Sequence, residues 1–133
     1  MKRVRPEKQA LIKYRLERAD VTLSDAHRLH QQGGSPASVV NRAYYAMFYA
    51  SLALLASIDK ESTKHQGVIG LFDLHFIKPG HLPKEMSKFL HQAFDTRLAG
   101  DYDEEAELTS ADALQILESA VAFIKSAKET LSG

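Results

Sequence analysis

Arg42, Tyr45 and Tyr49 stand at i, i+3 and i+7 inside an otherwise apolar run, NRAYYAMFYASLALL, residues 41–55. At about 3.6 residues per turn the three share one helical face. A guanidinium grips phosphate through two parallel N–H donors, and a phenol both stacks on a base and donates a hydrogen bond. The pattern is therefore a candidate pocket for a phosphate and a base. Ala46 and Ala53 fall near that face, and their short side chains are expected to leave room above it. Helical side chains lean toward the N-terminus, so Tyr49 is expected to reach back toward Arg42. Tyr44, Met47, Phe48, Ser51 and Leu55 point elsewhere, mostly into a core. The same residue types equally suit packing, with an arginine buried against a carboxylate and tyrosines at a subunit interface.

Helices must position these residues. Ile12, Leu16, Ala19, Leu23 and Ala26 recur at spacings of four and three, the stripe of an amphipathic helix whose first turn accommodates Pro6. Gly33-Gly34 ends that helix, and Ser35-Pro36 starts the next with a cap followed by proline. The second helix is predicted from about Pro36 to about Ile58. A third starts near Thr63, with Ile69, Phe72 and Phe76 on one side. KPGHLP (78–83) is a break. A fourth helix presents Met86, Phe89, Leu90, Ala93 and Phe94. AGDYDE interrupts again, and the last helix is predicted to use Leu108, Ala111, Leu114, Leu117, Val121 and Ile124 as its apolar stripe. The expected fold is all-α, an up-and-down antiparallel bundle of four long helices plus a shorter one, as a single domain over residues 1–133.

The bulk composition narrows the function. The 133 residues hold 17 basic and 17 acidic side chains, and this zero balance argues against a bulk nucleic-acid coat. The charge is uneven, however: residues 1–18 are mostly basic, and residues 100–118 carry seven acids and no Lys or Arg. Such polarity can orient a partner, or two solvated faces can attract each other within the fold. With no cysteine there is neither a disulfide framework nor a thiolate metal site, which suits a reducing cytoplasm. The apolar run Ala46–Ile58 is too short to span a membrane, and Met1–Pro6 lacks the apolar core of a signal peptide. His27, His30, His75, His81 and His91 are scattered, and no zinc-binding motif, phosphate-cradling glycine loop or Gly-x-Ser-x-Gly element is present. Neither a metal nor a cofactor is expected.

The stretch NRAYYAMFYASLALL resembles the signature helix of HEPN domains, in the branch that reads close to S-R-A-Y-Y-A-M-F-H-A-A. The resemblance continues in order through KHQGVIGLF (64–72), FIKPGHLPKEMSKFL (76–90) and TRLAGDYDEE (96–105). It implies a helical bundle, often a homodimer. It also implies metal-independent RNA cleavage or pairing with a minimal nucleotidyltransferase in toxin–antitoxin systems. The family's active motif is an arginine followed after four to six residues by a histidine. Arg42 matches the arginine, but position 49 holds tyrosine where the histidine is expected. Histidine titrates near neutrality, whereas an unperturbed phenol, with a pKa of about 10, is a poor base. Loss of acid–base help is worth about a hundred- to ten-thousand-fold.

Two further groups follow. His65 matches a histidine of the resembling segment and is a candidate replacement base if the third helix begins opposite Arg42; the alternative is a histidine tying a loop to the bundle. Arg97, Asp101 and Tyr102 are candidates for a polar cluster beside Arg42, with Asp101 orienting the guanidinium. Asp103 to Glu107 suit the positive end of the last helix without any other role. The expected function is an RNA- or nucleotide-binding module, with ribonuclease activity weak or lost. The alternative is a non-catalytic helical adaptor that dimerises through the Arg42 face.

Overall fold

The computed structural model of the chain describes residues 5–102 and 107–133, and the backbone alone of Asp101 and Tyr102. Five α-helices follow one another: α1 (Pro6–Gln31), α2 (Pro36–Ser57), α3 (His65–Phe72), α4 (Lys84–Tyr102) and α5 (Ser110–Ser132). Among the described residues all regular structure is helical, so the expected all-α bundle of four long helices and a short one is what the chain forms.

Local chemistry sets most boundaries as expected. Pro6 opens α1, where its missing N–H costs nothing. At the other end Gly33 adopts φ 74°, and the Gly34 N–H turns back to the Leu29 carbonyl. A side chain at position 33 would strain that left-handed turn. Ser35 then caps α2, its hydroxyl accepting from the Ser38 N–H, with Pro36 next. Thr109 and Asp112 form a reciprocal capping box at α5, and the Thr109 N–H and hydroxyl together hold the Asp112 carboxyl below its ordinary pKa.

Several details differ from expectation. Helix α3 begins at His65 rather than near Thr63. It passes directly into a π-turn over Asp73–Ile77, where the Asp73 carboxylate accepts from Ser87 Oγ at 2.7 Å and meets His91 Nε2 at 2.6 Å. That clasp ties the end of α3 to α4. AGDYDE does not interrupt α4 at its start, because the helix runs on to Tyr102. Among the described residues the ion pairs are Lys8–Asp59, His91–Asp73 and Lys128–Asp20. The first and last join the basic start of α1 to the end of α2, and an acid of α1 to a lysine of α5. Among the described residues neither joins the basic N-terminal stretch to the acidic segment 100–118, of which residues 103–106 and the Asp101 side chain lie outside the described residues.

Helix α2 is the centre. It packs against α1, α3, α4 and α5. Lys8 of α1 reaches Asp59 just past α2, and the α4 residue Gly100 sits beside Ala37, so α1 and α4 both run antiparallel to α2. Ala43, Ala46, Ala50 and Ala53 are fully buried. This corrects the expectation for Ala46 and Ala53: they open no space above a pocket but let neighbouring helices approach closely. The α5 stripe is also offset. Its buried apolar residues are Ala113, Ile116, Leu117, Ala120, Phe123, Ile124 and Ala127, while Leu114 and Val121 are about two-fifths exposed (40% and 42%) and Ala111 is exposed.

One small junction fixes the approach to α3. Ser62 donates to the Lys64 carbonyl, accepts from the Lys64 N–H, and packs over Gly67 so closely that a Cβ at position 67 would collide with its hydroxyl.

Candidate functional site

The side chains of the α2 motif, the start of α3 and the end of α4 converge. Arg97 enters from α4 with its guanidinium carbon 5.2 Å from the centre of the Tyr45 ring and 5.4 Å from that of Tyr44. Arg42 lies 5.3 Å from the centre of the same Tyr45 ring. Two cations thus share one half-buried phenol, each attracted by the negative face of the ring. Asn41 Oδ1 accepts from Arg42 Nε at 3.3 Å and from a terminal guanidinium nitrogen at 3.0 Å. Beside Arg42 opens a shallow cleft of about 390 Å³ lined by Leu29, Ala37, Ser38 and Asn41.

His65 sits on the other side of the tyrosine pair. Its ring stacks on Phe48 at 4.3 Å between centres and meets Tyr45 edge-on at 5.6 Å. Its Nδ1 is 2.7 Å from the Tyr44 hydroxyl. Tyr44 is fully buried, and burial first pushes its pKa up, with Arg97 opposing and Tyr45 adding. Burial first, then the Arg97 charge, pushes the His65 pKa down. Both groups are therefore neutral at pH 7. Among the described residues His65 Nδ1 is the acceptor within reach of the buried hydroxyl, so we assign Tyr44 as donor. The remaining imidazole proton then lies on Nε2, which makes that atom a donor rather than a base. The arrangement fits a histidine that ties the start of α3 to α2.

Tyr49 does not reach back to Arg42. Its ring packs 6.1 Å from that of Tyr45, and the cation over it is Arg18 of α1, at 5.1 Å. The Tyr49 side chain is the first cause of the raised Arg18 pKa. Arg18 is a member of the cluster that sequence reasoning missed. In the sequence only the shared edge of Arg15, Arg18 and Thr22 beside the α1 stripe bears on it; in the structure Thr22 is buried and Arg15 donates to the Leu52 carbonyl of α2 at 3.0 Å. Of the expected cluster residues, Arg97 is beside Arg42 through Tyr45. The side chains of Asp101 and Tyr102 lie outside the described residues.

Among the described residues no three His, Asp or Glu side chains converge. No helix among them is long and apolar enough to cross a membrane.

A helical bundle that gathers an arginine–tyrosine face on its second helix defines a class, and comparison with known proteins identifies it. The HEPN domain model matches residues 12–130, and the chain belongs to the HEPN domain family. It is 36% identical over 124 residues to a "UPF0332 protein" of Thermotoga maritima, an overlap covering 89% of each chain. It is 34% identical over 128 residues to a "UPF0332 protein" of Gloeobacter violaceus, covering 96% of this chain and 98% of that one. A Methanocaldococcus jannaschii protein named "Putative toxin MJ0142" is 30% identical over 116 residues, 87% of this chain and 78% of its own.

Proposed function

We propose that the protein is a toxin-like HEPN module that binds RNA through Arg42, Tyr45 and Arg97. The observation that carries this reading is the approach of two guanidiniums to one tyrosine ring, 5.2 and 5.3 Å from its centre. Cations held over a half-buried ring offer a phosphate two charge-assisted partners, and the phenol offers a base a stacking surface. Membership of the family and the toxin name of a relative agree with this reading.

Cleavage is a separate matter. Metal-free scission of RNA needs a base for the 2′-hydroxyl, an acid for the leaving oxygen and a cation for the phosphorane. Arg42 supplies the cation. Tyr49, engaged with Arg18, stands where the family's motif histidine is expected, and the Nδ1 of His65 is occupied by Tyr44. The reading is therefore binding with weak or lost turnover. We further propose a homodimer in a reducing cytoplasm, with a minimal nucleotidyltransferase as partner.

The test is binding of a labelled RNA pool by wild type and Arg42→Ala, with molar mass measured by light scattering on the same samples. Loss of one charge-assisted phosphate contact costs about 1.5–3 kcal/mol, or at least about tenfold in affinity, with the fold intact. Unchanged affinity would place the site elsewhere. A folded Arg42→Ala that becomes monomeric with no loss of RNA binding would favour the adaptor reading, in which this face meets a second copy.

A further inference from the structure

We infer that Arg18 is a binding residue, and that the site is a track for a strand of two or more nucleotides rather than a pocket for one. The inference rests on the RNA-binding reading above and extends it to a residue on another helix.

The geometry is a row of alternating groups. Arg42 and Arg97 lie over Tyr45; the Tyr45 ring lies 6.1 Å from the Tyr49 ring; Arg18 lies 5.1 Å over Tyr49. Tyr45 and Tyr49 are four residues apart, so they rise along α2 by about one turn, near 6 Å. Each tyrosine thus carries its own cation, and the unit repeats along the helix. Each cation sits over its own ring, so a strand can set one phosphate against Arg42 and another against Arg18. A nucleic-acid strand presents a phosphate and a base at every step, and so meets a repeating row.

The row is accessible. Arg18, Arg42, Tyr45, Tyr49 and Arg97 are all half-buried, which leaves part of each side chain at the surface while neighbours hold the rest in place. Arg18 is held over the Tyr49 ring by cation–π attraction, so a ligand meets a positioned guanidinium rather than a freely rotating one. The acid that acts on Arg18 from its own helix is Asp25. Asp25 stands two turns further along α1 and supplies an acid that a strand would avoid, which bounds the track on that side. The competing account is that Arg18 and Tyr49 simply pack α1 onto α2.

The experiment uses the full chain and two probes, uridine monophosphate and a fluorescein-labelled twelve-nucleotide oligouridylate. Arg18→Met keeps the unbranched stem and removes the charge; circular dichroism checks that it folds. Arg42→Ala should weaken both probes. Arg18→Met should weaken the twelve-mer by about tenfold and lower its salt slope by about 0.7, the contribution of one phosphate contact on a single strand. Binding of the mononucleotide should stay unchanged, and Arg18→Lys should restore part of the loss. Equal twelve-mer affinity and salt slope in wild type and Arg18→Met would overturn the track, leaving Arg18 as packing. So would a fall in molar mass in Arg18→Met without loss of RNA affinity, which would make Arg18 an interface residue. If wild type binds neither probe, the RNA-binding reading itself falls, and that is distinct from failure at Arg18 alone.

Discussion

Along one edge of α2, Ala43, Ala46, Ala50 and Ala53 keep no exposed surface; along the adjoining edge, Arg42, Tyr45 and Tyr49 remain half-buried. Both sets repeat at helical spacing. The alanine side is matched to its neighbours by size, and any added atom must displace a helix. The arginine–tyrosine side is matched by charge and ring faces, which tolerate a gap because cation–π attraction and stacking act over several ångströms. A side tuned by volume is closed to ligands. A side tuned by electrostatics can exchange one partner for another, and this is why the candidate site lies there.

The largest effect that would sharpen this contrast is chemical. Tyr49→His places a neutral-pH base on the face that already holds Arg42, and RNA cleavage should rise by about a hundred- to ten-thousand-fold over wild type. The gain should vanish in Arg42→Ala/Tyr49→His and should follow the protonation of a single histidine with pH. No gain in a folded Tyr49→His would mean the face binds without a productive geometry. Robust wild-type cleavage that persists in Tyr49→Phe would instead point to another base.

The next effect is on stability. Ala50→Leu adds volume to the closed side and should destabilise the fold by about 1–3 kcal/mol, read from chemical denaturation. Arg42→Ala, on the open side, should move the denaturation midpoint much less while costing RNA affinity. Equal destabilisation by both would erase the distinction between the two sides.

The smallest effect is a pH dependence at the junction of the two. The folded-state pKa of His65 is lowered, by burial first and by Arg97 second. As pH falls, the unfolded chain takes up that proton first. The stabilisation from neutral His65 is therefore full above the unfolded value, about 6.5, and is lost as pH falls from there toward the lower folded value. Wild type should lose more stability than His65→Gln between pH 7 and 5. The difference should be under about 1 kcal/mol, because water reaches part of the ring. Identical pH profiles would remove His65 from the account.

Helix boundaries were legible wherever the backbone itself was constrained. Pro6, Gly33 and Ser35-Pro36 act locally, and α1 and α2 begin and end where those residues require. The face of α5 was misread because its contact surface is built from small residues. Leu114 and Val121 are the more hydrophobic side chains, yet Ala113, Ala120 and Ala127 make the close approach and are buried. Hydrophobicity alone ranks a leucine above an alanine, whereas helix packing rewards the shape that fits. For the site, Arg42 and Tyr45 were named from type and spacing and Arg97 from the resembling segment TRLAGDYDEE, and the fold brings them together. Arg18 was missed because its tyrosine lies on another helix, and no spacing within α1 reveals which ring it covers. Tyr49 was assigned to Arg42 for the complementary reason: side-chain lean within one helix was weighed, and a cation arriving from the neighbouring helix was not.

The contact between Ser62 and Gly67 bears on how this sequence can drift. A hydroxyl already fills the place where any side chain at position 67 would begin, so substitution there must push the Ser62 loop outward or tilt the first turn of α3. That first turn carries His65 and its tie to Tyr44. The two positions are therefore coupled through one contact. A side chain at 67 needs the Ser62 hydroxyl to be removed or its loop to shift, whatever happens to the chemistry of the face beside them.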